Sequence, residues 1–289
     1  MPRRKDPEWL ALHGVADYHR KEFQRSFLRG IREFIDDEVV LKRIESAFQS
    51  GNITEIESAI PWDMLSQHLD EVTNKTMEII VNGANVSKRY LPEKIAANVS
   101  FDLLNQRAVD FIREYRFDLI REITEKSRQG VRKIIERAFT EGMHPYKAAR
   151  YIRDVVGLTE MQTLSVDNFR RRMLRQGLSQ GDSLELAQRY AQRVLRKRAE
   201  AIARTETIRA ASMGQALLWQ EAADKGLIDT AKTWRVWLVT PDDRLCDLCE
   251  TMDGQRVRLN ENFNSPLGPV YTSPLHVNCR CAIVLEFED

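Results

Sequence analysis

Apolar residues recur every three to four positions along most of the chain, from Pro7 to about Ile228, and this spacing predicts a mainly helical body. Trp9 to Gly30 reads as one helix, and Ile31 to Gln49 continues in the same style until Gly51-Asn52 breaks it. Ile53 to Ile60 is a short helix ended by Pro61, and Trp62 to Val81 is another, followed by the breaker Asn82-Gly83. Ser100 is placed to cap a long helix carrying Leu103, Leu104, Val109, Phe111, Ile112 and Tyr115. Gln129-Gly130 is expected to break or kink the chain before a segment from Val131 to Phe139, which Gly142 closes. His144-Pro145 then opens a helix from Tyr146 to Val156, and Gly157 ends it. A helix from Val166 to Arg175, a Gly/Ser-rich loop from Gly177 to Ser183 and a long helix from about Leu184 to Ala223 complete the body.

After Asp229 the pattern changes. Thr233 to Thr240 is rich in β-branched and aromatic residues and reads as a strand. Asn260 to Pro274 is rich in turn residues and reads as loop. Cys281 to Phe287 alternates, with Cys281, Ile283, Leu285 and Phe287 on one face, as a half-buried strand does. The expected fold is therefore mainly α: a multi-helical body followed by a small α+β, cysteine-rich C-terminal region. The expected divisions are 1–98, 99–230 and 231–289.

Composition changes this picture only locally. Hydrophobic residues make up 43% of the 289, enough for real cores, and the net charge is only +1, so total charge does not mark a nucleic-acid binder. The charge is uneven, however. Ser165 to Arg209 holds 11 Lys and Arg against 5 Asp and Glu, and Thr240 to Asp289 holds 4 against 9. A basic middle and an acidic end suit self-assembly or partner docking, although a solvated helix face explains such runs as well. Within the basic stretch, Arg170, Arg171 and Arg172 are candidate contacts to DNA phosphates, although three consecutive residues fan around a helix. Pro2, Arg3, Arg4 and Lys5 are not followed by a long apolar run, so no signal peptide is expected. No stretch approaches the roughly 20 apolar residues of a membrane helix, and a reducing cytoplasm is the expected compartment.

That compartment bears on the 4 cysteines, which all fall in the last fifth of the chain. Cys246-x2-Cys249 is followed by His276-x2-Cys279-x-Cys281. A C-x2-C turn lets two thiolates converge on one ion, and the second group can close a tetrahedral shell of the kind zinc favours. Five candidates compete for four places. The four cysteines are the preferred set, with His276 either outside it or replacing one of the last two. On a regular strand Cys279 and Cys281 would sit about 6.6 Å apart, so both bind only if the chain bends. Buried, inert cysteines are the plainer alternative, and a closed cysteine site of this kind is expected to be structural.

One more constellation carries charge on a helix. Ile202, Glu206, Arg209, Met213 and Leu217 share a stripe, and Glu206 can pair with Arg209 three residues on. Arg204 lies opposite, four residues after Glu200. An active or binding site built on Arg204, Thr205, Glu206 and Arg209 is one reading, and a structural pair plus a surface pair is the other.

Taken together, Gly142 to Leu158, Ala203-Arg204-Thr205-Glu206 and the cysteine segment from Trp237 through Asp253-Gly254 to Pro274, His276 and Cys279-Arg280-Cys281 resemble the Mu F-like minor head proteins of tailed phages, the phage head morphogenesis family. The resemblance covers roughly Ser100 to Val284, and it departs from the family at Leu275, where a second proline often precedes the histidine. It implies a non-enzymatic, low-copy component of the virion head, assembled in the host cytoplasm and associated with the portal. It implies partners among portal, major capsid or scaffolding proteins; the basic stretch adds a candidate non-specific contact to packaged DNA, and no membrane partner is expected. The clustered cysteines and histidine, read on their own, point to a structural zinc, and the amphipathic residues 1–98, which lie outside the resemblance, are the expected docking region. Some relatives carry C-terminal toxin or nuclease domains; the sequence ends five residues after Val284, so none is expected here. Two alternatives stand beside this reading: a nuclease or transferase using Arg204, Glu206 and the cysteine end, and a non-specific DNA-binding accessory protein.

Overall fold

A computed structural model describes residues 6–101, 106–240 and 242–288. The Pro2 to Lys5 segment and Leu103 and Leu104 of the expected helix lie outside the described residues. The chain divides into two compact units. The first comprises residues 1–24, 73–113 and 200–289, and the second comprises 25–72 and 114–199.

The second unit is helical. It holds the end of α1 (Pro7–Ile35), then α2 (Glu38–Ser50), α3 (Ile53–Ala59) and the short α4 (Leu65–His68). It continues with most of α7 (Gln106–Thr140), α8 (Pro145–Val155), α9 (Glu160–Arg175) and the start of α10 (Gln180–Asp224). The ends follow local chemistry. The Asp37 side chain accepts from the Val39 amide at the start of α2, and Gly51, left-handed at φ 71°, closes it. Val40, Ile44 and Phe48, spaced by four, bury one stripe of α2, and Phe48 stacks on Phe139 at 5.3 Å. His144 caps α8 ahead of Pro145, and Gly157 follows its end at φ 85°, as the sequence pattern indicates. A capping box between Thr159 and Gln162 starts α9 six residues earlier than the apolar pattern suggests.

Two expected breaks are absent. Asn82-Gly83 lies inside α5 (Asp70–Ser87), and Gln129-Gly130 lies inside α7. Both glycines permit close helix contact. A Cβ on Gly83 would sit 2.3 Å from the Ala211 carbonyl oxygen, and one on Gly130 would sit 2.5 Å from Thr163 Oγ1. Gly214 on α10 mirrors Gly83, for its Cβ would meet the Ile80 carbonyl oxygen at 1.9 Å. So α5 and α10 touch backbone to backbone within the first unit, where large side chains could not fit.

The rest of the first unit includes α6 (Glu93–Asn98) and a small antiparallel sheet ordered β2-β1-β5. Its strands are β1 (Thr233–Leu238), β2 (Arg256–Arg258) and β5 (Ala282–Phe287). In this register Trp237 lies opposite Ile283 and Val236 opposite Val284. The expected loop from Asn260 to Pro274 contains a hairpin, β3 (Phe263–Ser265) and β4 (Gly268–Val270). Phe263 from this hairpin meets the buried Trp237 edge to face at 5.1 Å. The result is a mainly helical chain with a small sheet and a cysteine cluster at its C-terminal end. Among the described residues no helix is long and apolar enough to cross a membrane.

Candidate metal centre and its helical seat

The cysteines and the histidine arrive on two tight turns. Cys246 caps the short α11 (Asp247–Glu250), and its carbonyl accepts the amides of Cys249 and Glu250, each at 3.0 Å. This turn sets the Cys249 side chain back beside Cys246. In the second turn the Cys279 amide donates to the His276 carbonyl at 3.1 Å, and Asn278 takes φ 62°, a left-handed conformation that asparagine tolerates. Strand β5 begins only at Ala282, so Cys279 and Cys281 precede it in bent chain. The Cys281 amide lies 3.5 Å from Cys279 Sγ. The bend needed to bring both thiols to one side is therefore present.

All five candidate donors converge in two overlapping groups, Cys246, Cys249 and His276, and Cys249, Cys279 and Cys281, with donor atoms in each group within 4.8 Å. His276 Nε2 lies 3.1 Å from Cys246 Sγ and 3.0 Å from Cys249 Sγ, and Cys249 Sγ lies 3.7 Å from Cys279 Sγ. Two thiolates on a tetrahedral zinc with Zn–S near 2.3 Å stand about 3.8 Å apart, so the cysteine spacing fits such an ion. His276 Nδ1 sits 2.9 Å from the Val277 carbonyl oxygen, the contact that commonly orients a metal-binding imidazole and leaves Nε2 to bind. The donors border a cavity of about 40 Å³ that Thr240, Leu245 and Arg280 also line.

The sulfurs compete for negative charge. Cys279 is pushed down to about 5, first by the hydrogen bond from the Cys281 side chain. Cys249 is pushed up to about 12 by burial and then by the charge on Cys279, and Cys281 is raised as well, first by its hydrogen bond to Cys279. A divalent cation among these donors would relieve that repulsion, because coordinated thiols are held as thiolates. The donor set, the spacing and the electrostatics therefore all suit a metal ion.

The second turn rests on α10. The Thr205 hydroxyl accepts the Asn278 amide at 3.0 Å and donates to the Ala201 carbonyl at 2.8 Å, so both of its hydrogen-bonding functions are used. Arg204 Nη1 reaches Asn278 Oδ1 at 3.4 Å, and its Nη2 stands 3.5 Å from Glu200. Further along α10, the hydroxyls of Ser212 and Ser273 meet at 2.9 Å. The Arg280 carbonyl, between the last two cysteines, accepts from Trp9 Nε1 at 2.9 Å and from Thr240 Oγ1 at 2.8 Å. The Arg280 guanidinium forks onto Asp242, with Nη2 to Oδ1 at 2.7 Å, and that charge-assisted pair holds the Asp242 carboxyl below its usual range. Arg204 and Thr205 thus form the seat of the cysteine-histidine turn, a link that the separate sequence motifs do not reveal.

Glu206 points elsewhere. It is buried, stands 3.5 Å from Arg209 Nε, and is pushed up to about 7 by burial, against which the Arg209 charge acts. Arg209 itself is one-third exposed. The separation makes the pair an ion pair more than a well-formed hydrogen bond.

Residues 167–284 match the family described as Phage Mu protein F like protein. The match covers less than half of the chain and contains Arg204 to Arg209 and all five metal candidates. No curated protein and no solved structure matches.

The matched segment opens on a buried cluster that no sequence motif marks. Arg170, taken above as a phosphate contact, is fully buried. It donates to Asp167 Oδ1 from Nε at 3.2 Å and from Nη2 at 3.0 Å, and to Glu141 at 2.6 Å. Arg137 Nε adds an ion pair to Asp167 Oδ2 at 3.1 Å, and the Tyr151 hydroxyl donates to Asp167 at 3.2 Å. A guanidinium with no exposed surface cannot meet DNA, so Arg170 leaves that set. Arg171 is half-buried near Glu141, and only Arg172 of the three is exposed. Asp167 four residues after Thr163 and three before Arg170 was a readable signal for pairing. Glu8 was missed too. It is buried, accepts from Gln215 Nε2 at 2.7 Å, and is pushed up to about 7 by burial. Its partner lies 207 residues away, and no local pattern announces it.

Proposed function

We propose that this chain is a minor head protein of a tailed phage or prophage, acting in procapsid assembly beside the portal, with a structural zinc in its C-terminal region. The observation that carries the reading is the seat of the cysteine-histidine turn on Arg204 and Thr205, because both halves lie inside the segment that matches the Mu F-like family. Virion localisation and contact with portal, capsid or scaffolding proteins follow from the same likeness. Cys246, Cys249, His276 and Cys279 would hold the ion, with Cys281 beside them as a hydrogen-bonding neighbour. The spacing of Cys249 and Cys279 and the orientation of His276 support that set over four thiolates. Zinc would supply a cross-link between two short turns that lie about thirty residues apart, and no redox or hydrolytic step.

The geometry favours assembly over a nuclease or transferase. Arg204 is engaged by Glu200 and Asn278, Glu206 is buried, and the cavity at the cysteines, at about 40 Å³, is of a size for an ion or a water. The experiment is the composition of purified procapsids made with and without this protein. The reading expects the protein in heads at low copy and a defect in head assembly without it; heads that never contain it would overturn the proposal. The docking surface is better probed by substitution than by deleting residues up to 98, because Glu8 and Trp9 are built into the same unit as the cysteine region. Leu10 and Tyr18, 51% and 81% exposed on α1, are the positions to change to Asp.

A further inference from the structure

The second unit carries a surface at which two aromatic rings meet between α9 and α10. Phe169 and Tyr190 stand 5.0 Å apart, centroid to centroid, inclined at 45°, and Ser165 Oγ fixes the Tyr190 hydroxyl at 2.9 Å. A guanidinium rests on each ring: Arg172 Cζ is 5.3 Å from the Phe169 centroid, and Arg193 Cζ is 5.7 Å from that of Tyr190. Both arginines are exposed. Helical spacing puts Arg175 one turn beyond Arg172 and Lys197 one turn beyond Arg193, also exposed.

The charges on this surface are left open. Among the described residues Arg172, Arg175, Arg193 and Lys197 form no ion pair, whereas Arg189 on the same helix is held by Glu185 and Arg171 lies 3.9 Å from Glu141. The neighbouring positions Ser165, Asn168 and Leu186 are neutral. A guanidinium laid on a ring keeps its N–H edge free and its side chain partly ordered, which suits forked bonds to phosphate oxygens. Because the rings are already covered by arginines, they are not free to stack bases.

We infer that this surface binds the phosphodiester backbone of nucleic acid through Arg172, Arg175, Arg193 and Lys197, without reading sequence. The inference needs neither the metal nor the head assignment. It replaces the buried Arg170 and the engaged Arg171 with charges that can reach a polyanion, and repeated phosphates match four unpaired cations better than a single carboxylate does.

The test is anisotropy of a labelled random-sequence DNA duplex with the full chain, titrated from about 50 to 200 mM salt. The R172Q/R193Q variant should bind on the order of tenfold or more weakly at low salt, with a log–log salt slope shallower by about 2. Arg189→Gln, which removes a charge already paired, should change the slope little. R175Q/K197Q touches neither ring and should lose a similar slope, so it decides the matter if the first variant unfolds. Three results would overturn the inference: no wild-type binding at the lowest salt, an unchanged slope in both double variants, or competition by polyglutamate or anionic lipid vesicles as effective as unlabelled DNA at equal charge.

Discussion

The Asp167–Arg170 cluster and the cysteine-histidine cluster both bury polar groups, and they do so by opposite means. In the second unit, Arg170 and Asp167 are almost wholly enclosed, yet Arg137, Glu141 and Tyr151 supply partners of both signs. Burial and the Asp167 charge push the Tyr151 hydroxyl well up, so it stays a neutral donor. Helices α7, α8 and α9 are stapled with no outside help. In the first unit, five electron-pair donors converge, and the two arginines that line their cavity, Arg244 and Arg280, both face Asp242. Where the chain provides the opposite charge, a buried cluster is held without an added ion, here with Arg170 Nη1 left without a hydrogen bond. Where it provides donors only, the cluster suits a cation.

The sharpest way to break this contrast is to remove one donor from each cluster. Cys249→Ser removes the atom shared by both donor groups and should abolish metal binding, since a structural zinc is typically worth roughly 10–16 kcal/mol in isolated fingers. The expected result is loss of tertiary order from Cys246 to the C-terminal end, read by near-ultraviolet dichroism, with helical dichroism nearly unchanged. His276→Ala should behave alike, and Cys281→Ser should retain metal; the reverse outcome would restore the four-cysteine set. Asp167→Ala is next in size. It strips Arg170 of the carboxylate that accepts two of its bonds in a closed environment and should lower unfolding stability by about 3–5 kcal/mol, with metal content unchanged. A loss under 1 kcal/mol would show that the cluster is not a staple.

Glu206 sharpens the comparison through pH. Its carboxyl stands at 4.5 when unfolded and about 7 when folded, so between those values the native state holds more protons. Stability from this group is full below about 4.5 and is lost as pH rises through about 7. Glu206→Gln should therefore match the wild type in acid and exceed it by about 3 kcal/mol above neutrality. Glu8 is also raised, but both proteins share it, so the difference curve isolates Glu206. A difference of the opposite sign would mean that the ion pair with Arg209 outweighs burial. Thr205→Val is the smallest change. Loss of the hydroxyl that receives the Asn278 amide should reduce stability by about 1 kcal/mol and speed exchange of that amide.

These two clusters also show what a sequence discloses. The cysteine turns were legible because C-x2-C and H-x2-C-x-C confine their partners to short segments, and His144-Pro145 and Gly157 mark their helix ends by local rules. Gly83 and Gly130 were misread as breakers because glycine serves two purposes, and only the neighbouring helix shows that backbone contact applies here. Arg170 was misread as a surface charge because Asp167 meets it from α9 and Glu141 from the turn after α7, 29 residues earlier. The seat of Asn278 on Thr205 spans 73 residues and was beyond any local pattern.

The central claim is that the C-terminal cluster is a metal centre. Native mass spectrometry of the full chain, purified under reducing conditions with zinc supplied, tests it most directly. The account predicts folded charge states heavier by one zinc ion than the bare chain, and the same states without that mass in Cys249→Ser. Folded wild-type chain that carries no bound metal would contradict it.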